Sequence, residues 1–123
     1  MVFYFMVIKG SLTDLNEYIR AERTSRYAGA EIKRIETRLV LSEAKKQKIA
    51  PIKDYPVTVK INWYCDSKRK DPDNIAFTKK YILDGLVEAG VLINDGFIQV
   101  KGFVDNFFVD KENPRIEIFL ENE

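Results

Sequence analysis

The stretch VTVKINWY, residues 57–64, decides the fold class of this 123-residue chain. Apolar side chains occupy every second position of the stretch, and polar side chains lie between them. The apolar set is Val57, Val59, Ile61 and Trp63. A period of two is typical of a β-strand with one buried face, and Pro56 marks where this strand begins. The sequence therefore predicts a half-buried strand directly after Pro56.

Upstream of this strand the sequence predicts a first strand and a long helical region. Residues 2–8 are rich in Val, Phe and Tyr and are apolar on both faces, which indicates a strand inside a sheet. Residues 15–47 carry apolar side chains at three- and four-residue spacings, which is the period of a helix. Gly29 and residues 25–27 are the points at which this region is expected to divide into two helices.

Downstream, the sequence predicts a helix and two further strands. The helix covers residues 75–89, and Gly90 ends it. Residues 97–109 and 115–120 are aromatic and β-branched runs, which predict a terminal hairpin. The resulting order is β-α-β-α-β-β. It predicts a single α+β domain over residues 1–123, with helices packed on a mixed sheet.

The composition excludes several classes of protein. Histidine is absent, so His-based triads and His-ligated zinc sites cannot be built. The single cysteine, Cys65, forms no internal disulfide and fits a reducing compartment, which predicts a cytoplasmic protein. The apolar start at residues 1–8 is too short to span a membrane. The net charge is only +1, yet residues 17–53 hold ten basic and five acidic side chains. A polyanionic partner is therefore not excluded.

The segment KRKDPDN, residues 68–74, holds the side chains best suited to chemistry. Pro72 disfavours the helical conformation for Asp71, and an extended Asp71 directs its carboxylate to the same side as that of Asp73. Carboxylates that converge need a cation, and Mg²⁺ held by carboxylates commonly acts on phosphate esters. Up to four carboxylates are expected to meet at one end of the sheet, namely those of Asp71, Asp73, Asp84 and Asp95. Three adjacent cations suited to a phosphate backbone are Lys68, Arg69 and Lys70.

A plainer interpretation of the same residues stays open. Asp-Pro-Asp-Asn is also ordinary turn and N-cap chemistry ahead of a helix. Lys80 and Asp84, four residues apart, form a common exposed pair on a helix surface. A calcium-binding EF-hand is excluded, because that loop would need Gly and Glu where this chain has Ala76 and Ile82. The residues alone leave a metal site and a structural turn as alternatives.

A longer pattern connects this segment to the residues that follow it. The pattern consists of RKDPDN at 69–74, Lys80, DGL at 84–86, AGV at 89–91 and ND at 94–95. Over about residues 66–105 the chain closely resembles the RusA family of phage and prophage endodeoxyribonucleases, which resolve Holliday junctions. A family motif near the N-terminus that contains an asparagine is matched more weakly, at Asn16.

The resemblance implies a RusA-like fold and a role for each matching residue. The implied metal ligands are Asp71, Asp73 and Asp95, and the family's essential lysine falls on Lys80. The residues expected to contact DNA are Lys68, Arg69, Lys70, Lys79 and Asn16. The residues expected to support the ligands are Asn74, Asp84 and Asn94.

The resemblance also implies Mg²⁺ as cofactor, with Mn²⁺ as a substitute, and a homodimer that cuts four-way junction DNA by paired nicks. Two departures from the family bear on activity. Lys80 follows a longer spacing than in some members, so Lys79 is a potential substitute, and Asn94 replaces the first of two aspartates often seen there. Two alternatives therefore stay open. One is a catalytically silent junction-binding module of the same fold, and the other is a small interaction protein without a nucleic-acid role.

Overall fold

The computed structural model describes residues 2–122. The predicted α+β class with a mixed sheet is confirmed, and no helix within the described residues is long and apolar enough to cross a membrane. The elements along the chain are β1 (Val2–Lys9), α1 (Leu15–Thr24), α2 (Arg26–Lys46), β2 (Val57–Cys65), α3 (Pro72–Ala76), α4 (Lys79–Glu88), β3 (Val100–Val109) and β4 (Arg115–Asn122).

The four strands form one sheet in the order β1-β4-β2-β3. β4 is antiparallel to both β1 and β2, and β3 is parallel to β2. The N-terminal strand, expected inside the sheet, lies at an edge instead. Its apolar side chain Phe5 packs on Phe119 of β4, with ring centroids 4.8 Å apart. On the other face of β1, Met6 and Ile8 are buried in the core, so both faces of this edge strand carry apolar contacts.

The predicted terminal hairpin is wrong, because β2 lies between β3 and β4 and pairs with both. Burial alternates along β2 and along β4, whereas β3 is exposed over much of its length. The two strands with a continuous apolar face therefore occupy the centre of the sheet. Residues 110–114 are long enough to cross the end of β2, since five residues reach about 17 Å and two strand spacings take about 10 Å.

Each predicted helical region divides into two helices. Ser25 ends α1 and begins α2, because its backbone is extended and its hydroxyl accepts a hydrogen bond from the Ala28 N–H at 3.1 Å. The single helix predicted over residues 75–89 divides into α3 and α4 near Thr78. The Thr78 hydroxyl donates to the Ile75 carbonyl at 2.8 Å. A side chain that binds a nearby carbonyl in this way competes with the regular helical hydrogen bonds.

The core lies between one face of the sheet and the helices α2 and α4. The alternation predicted for β2 is confirmed, because its four inward side chains are at most 1% exposed. From β4 the core receives Ile116, Ile118 and Leu120, and from the helices it receives Val40, Ala44, Tyr81, Ile82 and Leu86. This layer fixes the end of β2, and with it the start of the segment that contains Asp71 and Asp73.

Gly85 lets α4 approach α2 closely. A Cβ at this position would lie 2.5 Å from the Cβ of Val40 and 3.0 Å from the carbonyl oxygen of Thr37. Val40 is fully buried, so it has no space to move into. Alanine is otherwise the better helix former by about 1 kcal/mol. At this position, packing and helix propensity therefore oppose each other.

We expect Gly85→Ala to lower the free energy of unfolding by about 1–3 kcal/mol, because the steric overlap outweighs the gain in helix propensity. Urea denaturation at neutral pH measures the change. The matched control is Gly29→Ala inside α2, where the new Cβ would meet Cγ of Glu22, an exposed side chain that can change rotamer. That variant should be neutral or more stable by up to about 1 kcal/mol. Equal destabilisation in both variants would contradict the close-packing explanation.

Candidate functional site

The segment after β2 turns directly into the short helix α3 and presents two carboxylates. Asp71 is the N-cap residue with an extended backbone (φ −74°, ψ 147°), as the following proline predicts. Asp73 lies in the first turn of α3. Both residues are exposed, and neither carboxylate forms a hydrogen bond or an ion pair with another residue between positions 2 and 122. Two uncompensated negative charges therefore lie at the start of α3. The prediction that both carboxylates point to the same side assumed an extended backbone, whereas Pro72–Ala76 is helical.

Asn74, the last residue of the motif, is buried and joins α3 to α1. It is 8% exposed, and its Oδ1 accepts a hydrogen bond from the backbone N–H of Asn16 at 2.8 Å. This bond holds the start of α1 beside the turn that contains Asp73. Asn16 itself is exposed, so of the two asparagines it is the one that a ligand can reach.

Lys70 forms ion pairs with two carboxylates at the N-terminus of α1. Its ammonium lies 2.7 Å from Oδ2 of Asp14 and 3.5 Å from Oε1 of Glu17. Asp14 is 4% exposed and caps α1 in a capping box with Glu17. Burial by itself would raise the pKa of Asp14, but hydrogen bonds from Lys70 and from the Glu17 N–H outweigh it and hold that pKa below its usual value. The hydrogen bond to Asp14 in turn raises the pKa of Lys70.

We expect Lys70→Met to lower the free energy of unfolding at neutral pH by about 1–2 kcal/mol, because it leaves the buried Asp14 without its cation. The folded-state pKa of Asp14 is depressed, so its contribution is present above the unfolded pKa of about 3.9 and is lost as the pH falls through the folded pKa. The difference between wild type and variant should therefore shrink below about pH 4. Urea denaturation across pH measures it.

The matched control for this variant is Lys68→Met, two residues away at an exposed position. We expect it to change stability by less than about 0.5 kcal/mol at every pH. A Lys70→Met penalty that is constant down to acidic pH would contradict the pairing with Asp14.

The other two cations of the motif lie at the surface beside the carboxylate pair. Lys68 and Arg69 are both exposed. The backbone N–H and Nε of Arg69 each lie 3.3 Å from the hydroxyl oxygen of Ser67, which is a weak contact. Of the three adjacent cations, Lys68 and Arg69 are thus the two with no carboxylate partner among the described residues.

Lys80 lies at the start of α4 and pairs with Asp84. Its ammonium is 3.1 Å from Oδ1 of Asp84, and its side chain is 54% exposed. Asp84 also lies 4.0 Å from the ammonium of Lys33 on α2. The exposed helical pair considered from the sequence is therefore present. The ammonium of Lys80 still faces solvent and can exchange its partner.

Lys79, the neighbour of Lys80, contacts the sheet instead. Its ammonium lies 2.6 Å from Oδ2 of Asp105 on β3 and 4.3 Å from the ring centroid of Phe103. The indole N–H of Trp63 donates to Oδ1 of the same aspartate at 2.9 Å. The Lys79 side chain is 16% exposed. Because Lys79 is largely buried in this ion pair, Lys80 is the more accessible of the two lysines.

Asp95 lies in a groove of about 550 Å³ that α2 forms with α4 and the segment after α4. Its backbone N–H donates to Oδ1 of Asn94 at 2.9 Å. The basic residues lining the groove from α2 are Lys33, Arg34 and Arg38. The acidic residues lining it are Asp84, Glu88 and Asp95. A basic wall therefore faces an acidic wall across this groove.

The three implied metal ligands do not form one cluster within a chain. Asp71 precedes α3 as its N-cap and Asp73 lies in the first turn, whereas Asp95 lines the groove with Asp84. Over residues 2–122, no three carboxylate or thiol side chains are placed to hold a common metal ion. Mg²⁺ is often held by one or two carboxylates, and water and substrate phosphates complete its coordination. The exposed pair of Asp71 and Asp73 fits that chemistry.

A second cavity, of about 270 Å³, lies where β1 and β2 end and β4 begins, and no sequence motif predicted it. Arg115 lines it, 2.8 Å from Asp110 and 3.0 Å from Glu117, with its guanidinium 3.8 Å from the ring centroid of Tyr64. Burial raises the pKa of the Cys65 thiol on the cavity wall. That thiol is therefore protonated at neutral pH and is a poor nucleophile.

No protein-family model and no curated protein matches this chain. The resemblance to the RusA family therefore rests on the motif residues themselves. Their placement, with Asp71 and Asp73 exposed and Asn74 buried, is the structural basis for a functional proposal.

Proposed function

We propose that this protein is a metal-dependent endodeoxyribonuclease of RusA type that resolves four-way DNA junctions by paired symmetric nicks. The observation that carries the proposal is the exposed carboxylate pair of Asp71 and Asp73, which no cation among the described residues neutralises. Two carboxylates that approach the same cation repel each other until that cation is bound. The same two residues belong to the sequence pattern that resembles the family.

A divalent cation at this pair supports hydrolysis of a phosphodiester. When bound, Mg²⁺, or Mn²⁺ in its place, polarises a phosphoryl oxygen and generates hydroxide from water. Asp71 and Asp73 supply oxygen ligands, and their exposure leaves room for water and for a DNA phosphate. The third ligand that the resemblance implies, Asp95, lies in the separate groove, so within one chain Asp71 and Asp73 alone would hold the ion. Asn74 keeps the turn of α3 in place through its hydrogen bond with Asn16.

Cations near the pair hold the DNA backbone in this proposal. Lys68 and Arg69 are exposed beside the carboxylates, and Lys80 neutralises the scissile phosphate while Asp84 orients its ammonium. The basic wall of α2 borders the groove that contains Asp95 and suits a junction arm. Phosphate contacts position DNA without reading its sequence, which suits recognition of a junction by shape.

The proposal includes a homodimer that acts in the cytoplasm in DNA recombination and repair. A four-way junction has strands related by two-fold symmetry, so a two-fold dimer presents one site to each of two opposite strands. Nicks at symmetric positions then leave ends that can be ligated.

The proposal is tested with a synthetic four-way junction and a linear duplex of the same sequence. We expect paired nicks in the junction with Mg²⁺ or Mn²⁺, no cleavage in EDTA, and little cleavage of the duplex. If the protein binds the junction but leaves it intact with every metal tested, the proposed nuclease function is rejected.

A catalytically silent junction-binding module is the second candidate, and the separation of Asp95 from Asp71 and Asp73 favours it. Such a module would bind junction DNA with a salt-dependent affinity but would bind no divalent cation through these aspartates. Calorimetric titration with Mn²⁺ distinguishes the two, because the nuclease should bind the ion and Asp73→Asn should not. Absence of any salt-dependent DNA binding would instead indicate an interaction protein without a nucleic-acid role.

A further inference from the structure

We propose that the cavity of about 270 Å³ beside α3 holds one unstacked nucleotide of the DNA strand that the protein binds. The inference rests on the proposed function, because a strand that crosses Asp71 and Asp73 brings a neighbouring nucleotide to this cavity. Arg69 lines the cavity and precedes Asp71 by two residues. A phosphate held at Arg69 therefore belongs to a nucleotide close to the proposed cation.

The inner wall of the cavity is apolar and suits the face of a nucleobase. It consists of Leu12, Trp63, Ile75 and Ile116, of which all but the half-buried Ile75 are buried in the core. A volume of about 270 Å³ takes about nine water molecules, which is close to the number of ring atoms in a purine. Ligand pockets usually start at about 300 Å³, so the occupant has the size of a base rather than of a dinucleotide.

Two of the cations that line the cavity are already paired within the protein. The ammonium of Lys70 lies 2.7 Å from Oδ2 of the buried Asp14. The guanidinium of Arg115 lies 2.8 Å from Asp110 and 3.0 Å from Glu117. These pairs neutralise the charges deep in the cavity. The space between them and the apolar wall therefore accepts an uncharged group, which a base is at neutral pH.

The rim of the cavity favours a nucleotide over a simple anion. Arg69 and Asp66 both line it and are exposed, and neither has an ion-pair partner within residues 2–122. Inorganic phosphate would be attracted by Arg69 and repelled by Asp66. A nucleotide presents its phosphate to Arg69 and its uncharged base to the apolar wall. The separation of charged rim and apolar interior therefore matches the two parts of a nucleotide.

A four-way junction supplies a base that can leave its stack. Extrusion of a base costs least where the base is unpaired or single-stranded. Strands at the crossover pass from one duplex into the next, so bases there have fewer fixed neighbours than bases within a linear duplex. A free mononucleotide presents the same chemistry as an extruded one, and the test below separates the two sources.

The cavity wall contains the single tryptophan and the single cysteine of the chain, Trp63 and Cys65, so both report on this site. The first measurement is the rate at which N-ethylmaleimide alkylates the half-buried Cys65 of wild type, in EDTA so that the DNA stays intact. A short single strand at ten times its Kd should slow alkylation by about tenfold. A four-way junction should protect Cys65 as well, and a linear duplex of the same sequence should not.

The matched ligand is an abasic strand of the same length, which brings the phosphates without the bases. It should bind the same cations but leave the alkylation rate nearly unchanged. Free deoxyadenosine monophosphate should protect Cys65 only at far higher concentration, because it lacks the other phosphate contacts of a strand. Equal protection by the abasic strand would overturn the inference. Protection by the mononucleotide at the same concentration as by the strand would assign the cavity to a free nucleotide instead and would also overturn it.

The emission of Trp63 provides a second measurement, with variants. Ser11→Phe adds an apolar side chain to the cavity wall and should raise the Kd of the base-containing strand by about tenfold or more, because it occupies the space for the base. The abasic strand should bind this variant as it binds wild type. The matched control is Ser42→Phe, at an exposed position of α2 that does not line the cavity, and it should behave as wild type does.

Absence of protection by every DNA that binds, or unchanged affinity of Ser11→Phe for the base-containing strand, would overturn the inference. The proposed function fails separately. Junction cleavage without protection of Cys65 would reject only the nucleotide site, and protection of Cys65 without cleavage under any metal condition would reject only the nuclease.

Discussion

Replacing Asp73 with asparagine is expected to slow cleavage of four-way junctions by about 10³-fold while junction binding is retained. Asp73 lies exposed in the first turn of α3 with no partner among the described residues, so its carboxylate is available to a cation. The asparagine amide has the same size but no charge, and it is a poor ligand for Mg²⁺. The rate is measured under single-turnover conditions with protein in excess of the junction.

The matched control is Asp66→Asn, at an exposed carboxylate in the same segment after β2. It should cut at close to the wild-type rate, because Asp66 lies outside the motif. The fold should survive in both variants, since a carboxylate in the first turn of a helix contributes about 0.3–1 kcal/mol. Wild-type cleavage by Asp73→Asn, or equal loss in both variants, would show that Asp73 is not a metal ligand.

Truncation of Trp63 is expected to have the largest effect on stability. We expect Trp63→Ala to lower the free energy of unfolding by about 3–5 kcal/mol. The side chain is 1% exposed and stacks on Phe107, with ring centroids 6.3 Å apart. Its loss leaves a cavity and removes the indole hydrogen bond to Asp105. Domains of this size are stable by about 5–15 kcal/mol, so the variant should be close to unfolding at room temperature.

Tyr64→Ala is the control, because Tyr64 is the next residue and lies on the opposite face of β2. It is half-buried and contacts Phe108 and Arg115 on the outer face of the sheet. We expect it to cost about 1 kcal/mol, the typical value for a point substitution. Urea denaturation compares the two variants directly. A similar cost at positions 63 and 64 would contradict the assignment of Trp63 to the core.

Local patterns predicted the elements of this fold better than their pairing. The alternation over residues 57–64 is a property of consecutive side chains, and β2 has the predicted pattern of burial. The strand pairing was mispredicted as a hairpin, because the choice between neighbours depends on which strands offer a continuous apolar face to the helices. β2 and β4 offer such a face, and β3 does not.

In the candidate site, too, features set by neighbouring residues were predictable and contacts between distant residues were not. The extended conformation of Asp71 follows from the next residue, Pro72, and was predictable. The pairing of Lys70 with Asp14 was not, because the two residues are 56 positions apart and meet only when α1 packs beside α3. Asp105, which holds Lys79, was also missed. It is a single carboxylate within an aromatic strand, and its partner lies on another element.

The sequence by itself determined the α+β class, the half-buried strand and the grouping of two carboxylates with adjacent cations, since each depends on residues close together in the chain. Tertiary structure decided which strands pair, which cations are already engaged and where Asp95 lies relative to Asp71 and Asp73. Those outcomes depend on contacts between distant segments, which form where burying apolar surface outweighs the entropy lost on ordering the chain.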